Sequence, residues 1–157
     1  MIRVPLNSNP AVPEFSSTIL VVDDSAYIRR FFARILGDAG YQILFAADGV
    51  VAIDVLAECQ VDAIVTDLEM PRLSGHELVK QIRAGRLAIP HDVPIVVCSS
   101  QADRETQSQL LRSGADVFLP KPVNRQELLS VVNQLLQNNL PPISESGTRL
   151  SKEVGNG

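Results

Sequence analysis

Five residues stand where apolar runs stop: Asp23 and Asp24 after "ILVV", Asp67 after "AIVT", Ser99 after "IVVC" and Lys121 after "VFLP". A charge at the lip of a buried strand is costly unless it has a partner or a task. Three carboxylates gathered at one place repel, and their pKa values rise unless a cation neutralises them. A hard divalent ion does this economically. Magnesium takes few carboxylates plus water and a phosphate oxygen, so Asp23, Asp24 and Asp67 would make a site with open positions. A carboxylate beside that ion can also attack phosphorus and become an aspartyl phosphate. Lys121 would screen the developing charge, and the Ser99 hydroxyl would meet a phosphoryl oxygen.

The elements that must bring these residues together read as β-then-α units. "TILVV" (Thr18–Val22) is a buried strand, followed by a helix with an apolar stripe at Ile28, Phe31, Phe32, Ile35, Leu36 and Ala39, stopped by Gly40. "YQILFA" is a second strand, and "DGVVAIDVLAEC" a second helix capped by Asp48. "DAIVT" forms strand three, and Ser74 or Gly75 opens a helix through Leu78, Val79 and Ile82. "VPIVVCS" is strand four. The polar "ADRETQSQLLRSG" can be helical but offers little apolar face beyond Ala102, Leu110 and Leu111. "DVFLP" is strand five, and Leu128, Val131, Val132, Leu135 and Leu136 stripe a last helix capped by Asn124.

Strands that are nearly all apolar, each followed by a helix, imply a parallel sheet with helices on both faces. No Gly-rich dinucleotide fingerprint follows strand one. The expectation is therefore a three-layer α/β/α sandwich whose five-stranded sheet has the flavodoxin-like order 2-1-3-4-5. In that order strands one and three are neighbours, and ligands bind in the crevice outside their carboxyl ends.

The 157 residues are 45% hydrophobic, enough for one domain with a sizeable core. The formal net charge of −4, with no dense Lys/Arg block, argues against nucleic-acid or anionic-membrane binding. No segment approaches the ~20 apolar residues of a membrane span, and the proline-broken N-terminus is no secretory signal. A cytoplasmic location is expected. Two cysteines make neither a disulfide framework nor a zinc set, and Cys98 inside "PIVVC" reads as a small buried hydrophobe. Residues 1–16 read as a flexible arm, 17–139 as the domain, and 140–157 as a flexible tail. The tail is too short to build a second unit, so output is expected through protein contacts.

The chain resembles the receiver domain of two-component response regulators, the CheY-like superfamily, over about Thr18 to Asn138. "ILVVDDS", "IVTDLEMPRLSG", "PIVVCSS" and "SGADVFLPKPV" carry the resemblance, in that family's order and at similar spacing. It implies Asp67 as phospho-acceptor, Asp24 as direct Mg2+ ligand, Asp23 acting partly through water, and the Glu69 backbone carbonyl as a further ligand, with Mn2+ an alternative ion. It also implies Ser99 as switch hydroxyl, Lys121 as the phosphoryl-pairing lysine, Phe118 as the aromatic switch and a cis Lys121–Pro122 bond. Glu69 and Gln101 would face the phosphoryl pocket and influence the phosphate's lifetime. A sensor histidine kinase or a histidine phosphotransfer protein would be the donor. An unidentified protein would be the target of the α4-β5-α5 face, and the module would not be a turnover enzyme.

Blander assignments exist for each residue. Asp24 or Ser25 can be a helix cap, Asp67 a turn former, Lys121 an exposed loop lysine, and Phe118 half-buried packing. His76 and His91 read as solvated. Among rivals, a haloacid dehalogenase-type phosphohydrolase has an acid two residues past its nucleophile, as Glu69 is here, but places that nucleophile after the first strand. A receiver fragment of a hybrid kinase, a degenerate receiver scaffold and a flavin module complete the set. The flavin reading is opposed by the acidic "DDSAY".

Overall fold

β1 (Thr18–Val22) sends Ile19 and Val21 to one face of a sheet and Leu20 and Val22 to the other, and all four are fully buried. This period of two divides the core of the computed structural model, which describes residues 16–138. The tail, and the arm but for Ser16, lie outside the described residues. After β1 come α1 (Ala26–Asp38), β2 (Gln42–Ala46), α2 (Gly49–Glu58), β3 (Ala63–Asp67) and α3 (Gly75–Arg83). The chain continues through β4 (Ile95–Ser99), α4 (Arg104–Ser113), β5 (Val117–Pro120) and α5 (Arg125–Asn138).

The strands are all parallel in the order β2-β1-β3-β4-β5, as expected. Leu20, Val22, Ile64 and Val97 pack against Ala52 and Leu56 of α2, Leu78, Val79 and Ile82 of α3, and Leu110 of α4. Ile19, Val21, Val65 and Val96 pack against Phe32, Ile35 and Leu36 of α1 and Leu128 and Val132 of α5. The layers are thus α1 and α5, the sheet, and α2 through α4.

Each helix begins on a polar cap that satisfies an otherwise orphaned amide. Ser25 serves α1, Asp48 α2, Ser74 α3, Asp103 α4 and Asn124 α5. The apolar stripe of α1 is narrower than its spacing predicts. Phe31 is 39% exposed, and Ala39 is exposed beyond the helix end. α4 buries only Leu110 of its own residues, and Leu111 faces out.

Two glycines differ in what a methyl group would meet. At Gly75 an added Cβ would be driven into the Asp67 carbonyl oxygen and lie 3.0 Å from the Leu68 Cα. At Gly37, inside α1, it would find open space. Gly75→Ala is expected to cost about 2–3 kcal/mol and Gly37→Ala to gain about 0.5–1 kcal/mol. Urea unfolding monitored by far-UV circular dichroism checks both.

Candidate functional site

The crevice at the carboxyl ends of β1 and β3 is created by register. Val22 lies opposite Thr66, so Asp23 and Asp67 follow side by side. Asp23 is held by its backbone as well as its charge: its N–H donates to the Ala46 carbonyl of β2 at 3.1 Å, and the Arg29 guanidinium donates to its carbonyl at 2.7 Å. Its Oδ1 accepts from the Ser25 N–H at 2.9 Å, which leaves Oδ2 for the crevice. Ser25 also accepts from the Ile28 N–H and so caps α1. Asp24 is therefore released from capping and stands exposed.

Asp67 is fixed from both sides of its own peptide. Its Oδ1 accepts from the Leu68 N–H at 2.8 Å, and its carbonyl accepts from the Thr66 hydroxyl at 2.9 Å. Ligand oxygens of Asp23, Asp24 and Asp67 lie within 4.8 Å of one another. That spacing and an all-oxygen donor set suit a hard divalent cation such as Mg2+. Lys121, on the loop after β5, brings its Nζ to 3.0 Å from Asp23 Oδ2 and 3.3 Å from Asp67 Oδ1. Its backbone N–H donates to the Ser99 carbonyl at 2.9 Å, which ties the ends of β4 and β5, and its bond to Pro122 is cis.

The electrostatics follow from burial and neighbours. Burial first, and then the charge of Asp23, push the Asp67 carboxyl above the usual carboxylate range despite Lys121. Burial works against the Lys121 ammonium. Its hydrogen bond to Asp23 and the charges of Asp67 and Asp23 outweigh that and raise its pKa. Cys98 is fully buried, as expected of a small hydrophobe, and burial pushes its thiol up to about 12.

The remaining sequence-predicted residues fall around this core. Ser99 is buried, one residue past the β4 partner of Asp67, and its Oγ accepts from the Gln101 N–H at 2.9 Å. Gln101 is exposed. Glu69 is exposed on the β3–α3 loop, two residues past Asp67. Phe118 is half-buried on β5 opposite Val97 and packs on the side of the sheet covered by α2 through α4.

The structure corrects the reading of His76, which is half-buried with its Nε2 2.8 Å from the Ser113 hydroxyl and so links α3 to the end of α4. His91 is exposed, as expected. Arg29 and Arg72 were not singled out in the sequence. Each acts through a partner that no local pattern marks, Arg29 on the Asp23 carbonyl and Arg72 on Asp48.

A family model described as "Response regulator receiver domain" matches residues 19–133. Response regulator MprA of Mycobacterium sp. strain KMS is 39% identical over 123 residues, 78% of this chain and 52% of that protein. The chain thus spans about half the length of the curated relatives it matches. Among solved structures, the receiver domain of Francisella response regulator 1452 is 30% identical with a TM-score of 0.74, over 80% of this chain and 100% of that one. The receiver domain of sensor histidine kinase PA1611 from Pseudomonas aeruginosa, 27% identical with a TM-score of 0.70, matches over 78% of this chain and 99% of that one. Its structure has a magnesium ion coordinated in the active site cleft.

The raised Asp67 pKa has a stability consequence with a definite sign. The folded state holds the Asp67 proton more tightly than the unfolded chain does, so ionisation at neutral pH weighs against folding. The burden lifts as pH falls through the folded pKa toward the unfolded one. Without divalent metal, Asp67→Asn is expected to melt higher than wild type at pH 7, and the gap to shrink as pH falls into the carboxylate range. Thermal melts across that range check the sign.

Proposed function

This chain belongs to the response regulator receiver family, and from that premise we propose that Asp67 takes a phosphoryl group from the phosphohistidine of a sensor histidine kinase or histidine phosphotransfer protein. The observation that carries the proposal is the convergence of Asp23, Asp24 and Asp67 within 4.8 Å, with the Lys121 ammonium against two of them. Asp23, Asp24, Asp67 and the Glu69 carbonyl would hold Mg2+, or Mn2+ in its place. The bound ion would supply charge neutralisation for the incoming phosphoryl oxygens.

The chain's own residues do the rest. An Asp67 carboxylate oxygen bonds to phosphorus as the donor's nitrogen–phosphorus bond breaks, and the electron pair leaves on the imidazole nitrogen. Lys121, now between Asp23 and Asp67, turns its charge to a phosphoryl oxygen, and Ser99 donates its hydroxyl to another. Glu69 and Gln101 flank the pocket and influence how readily water removes the group. Return of the phosphoryl group to water is the only turnover proposed, so the domain signals rather than converts an external substrate.

A protein donor is supported by the surface beside Lys121. Tyr27, 70% exposed, and Phe31 border an apolar groove of about 400 Å³ that Ile28, Ser100, Lys121 and Pro122 also line. Such a patch at the mouth of a charged site suits protein contact. Output through the α4-β5-α5 face is supported by the thin packing of α4 and by the half-buried Phe118, although Phe118 has no hydroxyl through which to contact a partner. We place the domain in the cytoplasm. Among the described residues no helix is long and apolar enough to cross a membrane. A receiver within a hybrid histidine kinase would use the same chemistry, so the proposal concerns this domain in either setting.

Position disfavours the phosphohydrolase alternative, because Asp67 ends the third strand among the described residues and not the first. With Mg2+ and an acyl phosphate, intact-mass measurement is expected to show a gain of about 80 Da, one phosphoryl group, in wild type. Asp67→Asn should show no gain. An adduct in both proteins, or in neither, overturns the assignment. Lys121→Ala should still bind Mg2+ but phosphorylate about 100-fold more slowly, measured as the rate of mass conversion.

A further inference from the structure

Arg72 holds a left-handed backbone, φ 68°, the one non-glycine among the described residues to do so. Glycine adopts that conformation more cheaply, so the arginine is there for what its side chain reaches. Its Nε and Nη2 donate to Asp48 Oδ2 at 2.9 and 2.8 Å. Asp48 is 6% exposed, and its Oδ1 accepts from the Val50 and Val51 N–H groups as the cap of α2. One carboxylate therefore joins the first turn of α2 to the middle of the β3–α3 loop.

The join is tight. The Gly49 N–H donates to the Leu73 carbonyl at 3.2 Å, and a Cβ at Gly49 would lie 2.7 Å from that oxygen. The base of the loop is closed by the Gly75 N–H on the Leu68 carbonyl at 2.8 Å. Glu69, Met70 and Pro71 span the interval between the closed base and the pinned far side. The Val51 amide, and then the Arg72 guanidinium, hold the Asp48 carboxyl below its ordinary range against burial, so Asp48 stays ionised at neutral pH.

We propose that Arg72 is a positioning residue for the cation site, acting through Asp48 to fix the loop from which Glu69 presents its carbonyl. The inference rests on the reading of Asp23, Asp24, Asp67 and Glu69 as the ligand set. Magnesium demands near-octahedral geometry at short distances, so a carbonyl on an unpinned loop is a poorer ligand. Neither Arg72 nor Asp48 touches the ion; both decide how well the loop is held for it.

The test is a Mg2+ titration of the full chain followed by amide chemical shifts, for wild type, Asp24→Asn, Arg72→Gly, Arg72→Lys, Asp48→Asn and the Arg72→Gly/Asp48→Asn double variant. Arg72→Gly removes the guanidinium while suiting the left-handed backbone, and Asp48→Asn keeps an oxygen for the cap, so both should fold. Arg72→Gly and Asp48→Asn are each expected to weaken Mg2+ binding about tenfold. The double variant should be no weaker than either single, and Arg72→Lys should recover part of the loss. Wild-type affinity in both singles, or losses that multiply in the double variant, overturns the proposal. If Asp24→Asn abolishes binding while Arg72→Gly binds as wild type, this inference alone falls. If Asp24→Asn binds Mg2+ as wild type does, the ligand reading falls and takes the inference with it.

Discussion

The arrangement turns on one charge balance. Asp23, Asp24 and Asp67 set three carboxylates against the single Lys121 ammonium that reaches Asp23 and Asp67. The two uncompensated negative charges equal the charge of one divalent ion. Lys121 leaves the excess standing, and what it does settle is position. By bridging Asp23 and Asp67 it keeps two repelling groups on neighbouring strands from turning apart, at the cost of part of its own hydration. Burial and the Asp23 charge still raise the Asp67 pKa, so the fold disfavours the ionised form of the group proposed as nucleophile. A cation in the cluster would relieve that burden, which ties metal affinity to the same strain that the bare fold carries.

The sheet makes this strain tolerable. Every residue of β4 is buried, as is almost every residue of β1 and β3, on both faces. Hydrophobic burial in two independent half-cores holds the strand ends in register whatever their charges prefer. The Gly75 backbone pressed against the Asp67 carbonyl shows how little slack remains. Separating a rigid apolar platform from an unfavourable polar rim is what lets acids from different strands share one crevice.

What the sequence made readable followed from the range of each interaction. Strands were readable because fully buried parallel strands are unbroken apolar runs, and the sheet order because a right-handed β-α repeat without a dinucleotide fingerprint leaves few topologies. The clustering of Asp23, Asp24, Asp67 and Lys121 followed from placing each at a strand's carboxyl end. The α1 stripe is wider in the sequence than in the fold, since periodicity marks which residues share a face but not how much of that face is covered; Phe31 shows this. His76 and Arg72 were opaque for another reason. The Ser113 partner of His76 is 37 positions away and the Asp48 partner of Arg72 is 24 away, and arginine is not a residue type that advertises a left-handed turn. Side-chain pairs joining separate β-α units exist only once the units have packed.

On the proposed chemistry, the same long-range pairs decide where a new charge at Asp67 is felt. A phosphoryl group would compete with Asp23 for Lys121, and Lys121 is tied through its N–H to the Ser99 carbonyl. A shift of the lysine therefore acts first on the joined ends of β4 and β5. The element next in line is α4, which starts at Arg104, three residues after Gln101, whose N–H donates to the Ser99 hydroxyl, with Asp103 as its own cap. α4 is anchored by Leu110 and, at its far end, by the His76–Ser113 hydrogen bond and by Arg83 of α3, whose Nε donates to the Gly114 carbonyl at 2.9 Å. α3, by contrast, buries Leu78, Val79 and Ile82. On that proposal a perturbation arriving between α3 and the thinly packed α4 would be taken up by α4, because rearranging a few polar contacts and one leucine costs less than opening either half-core.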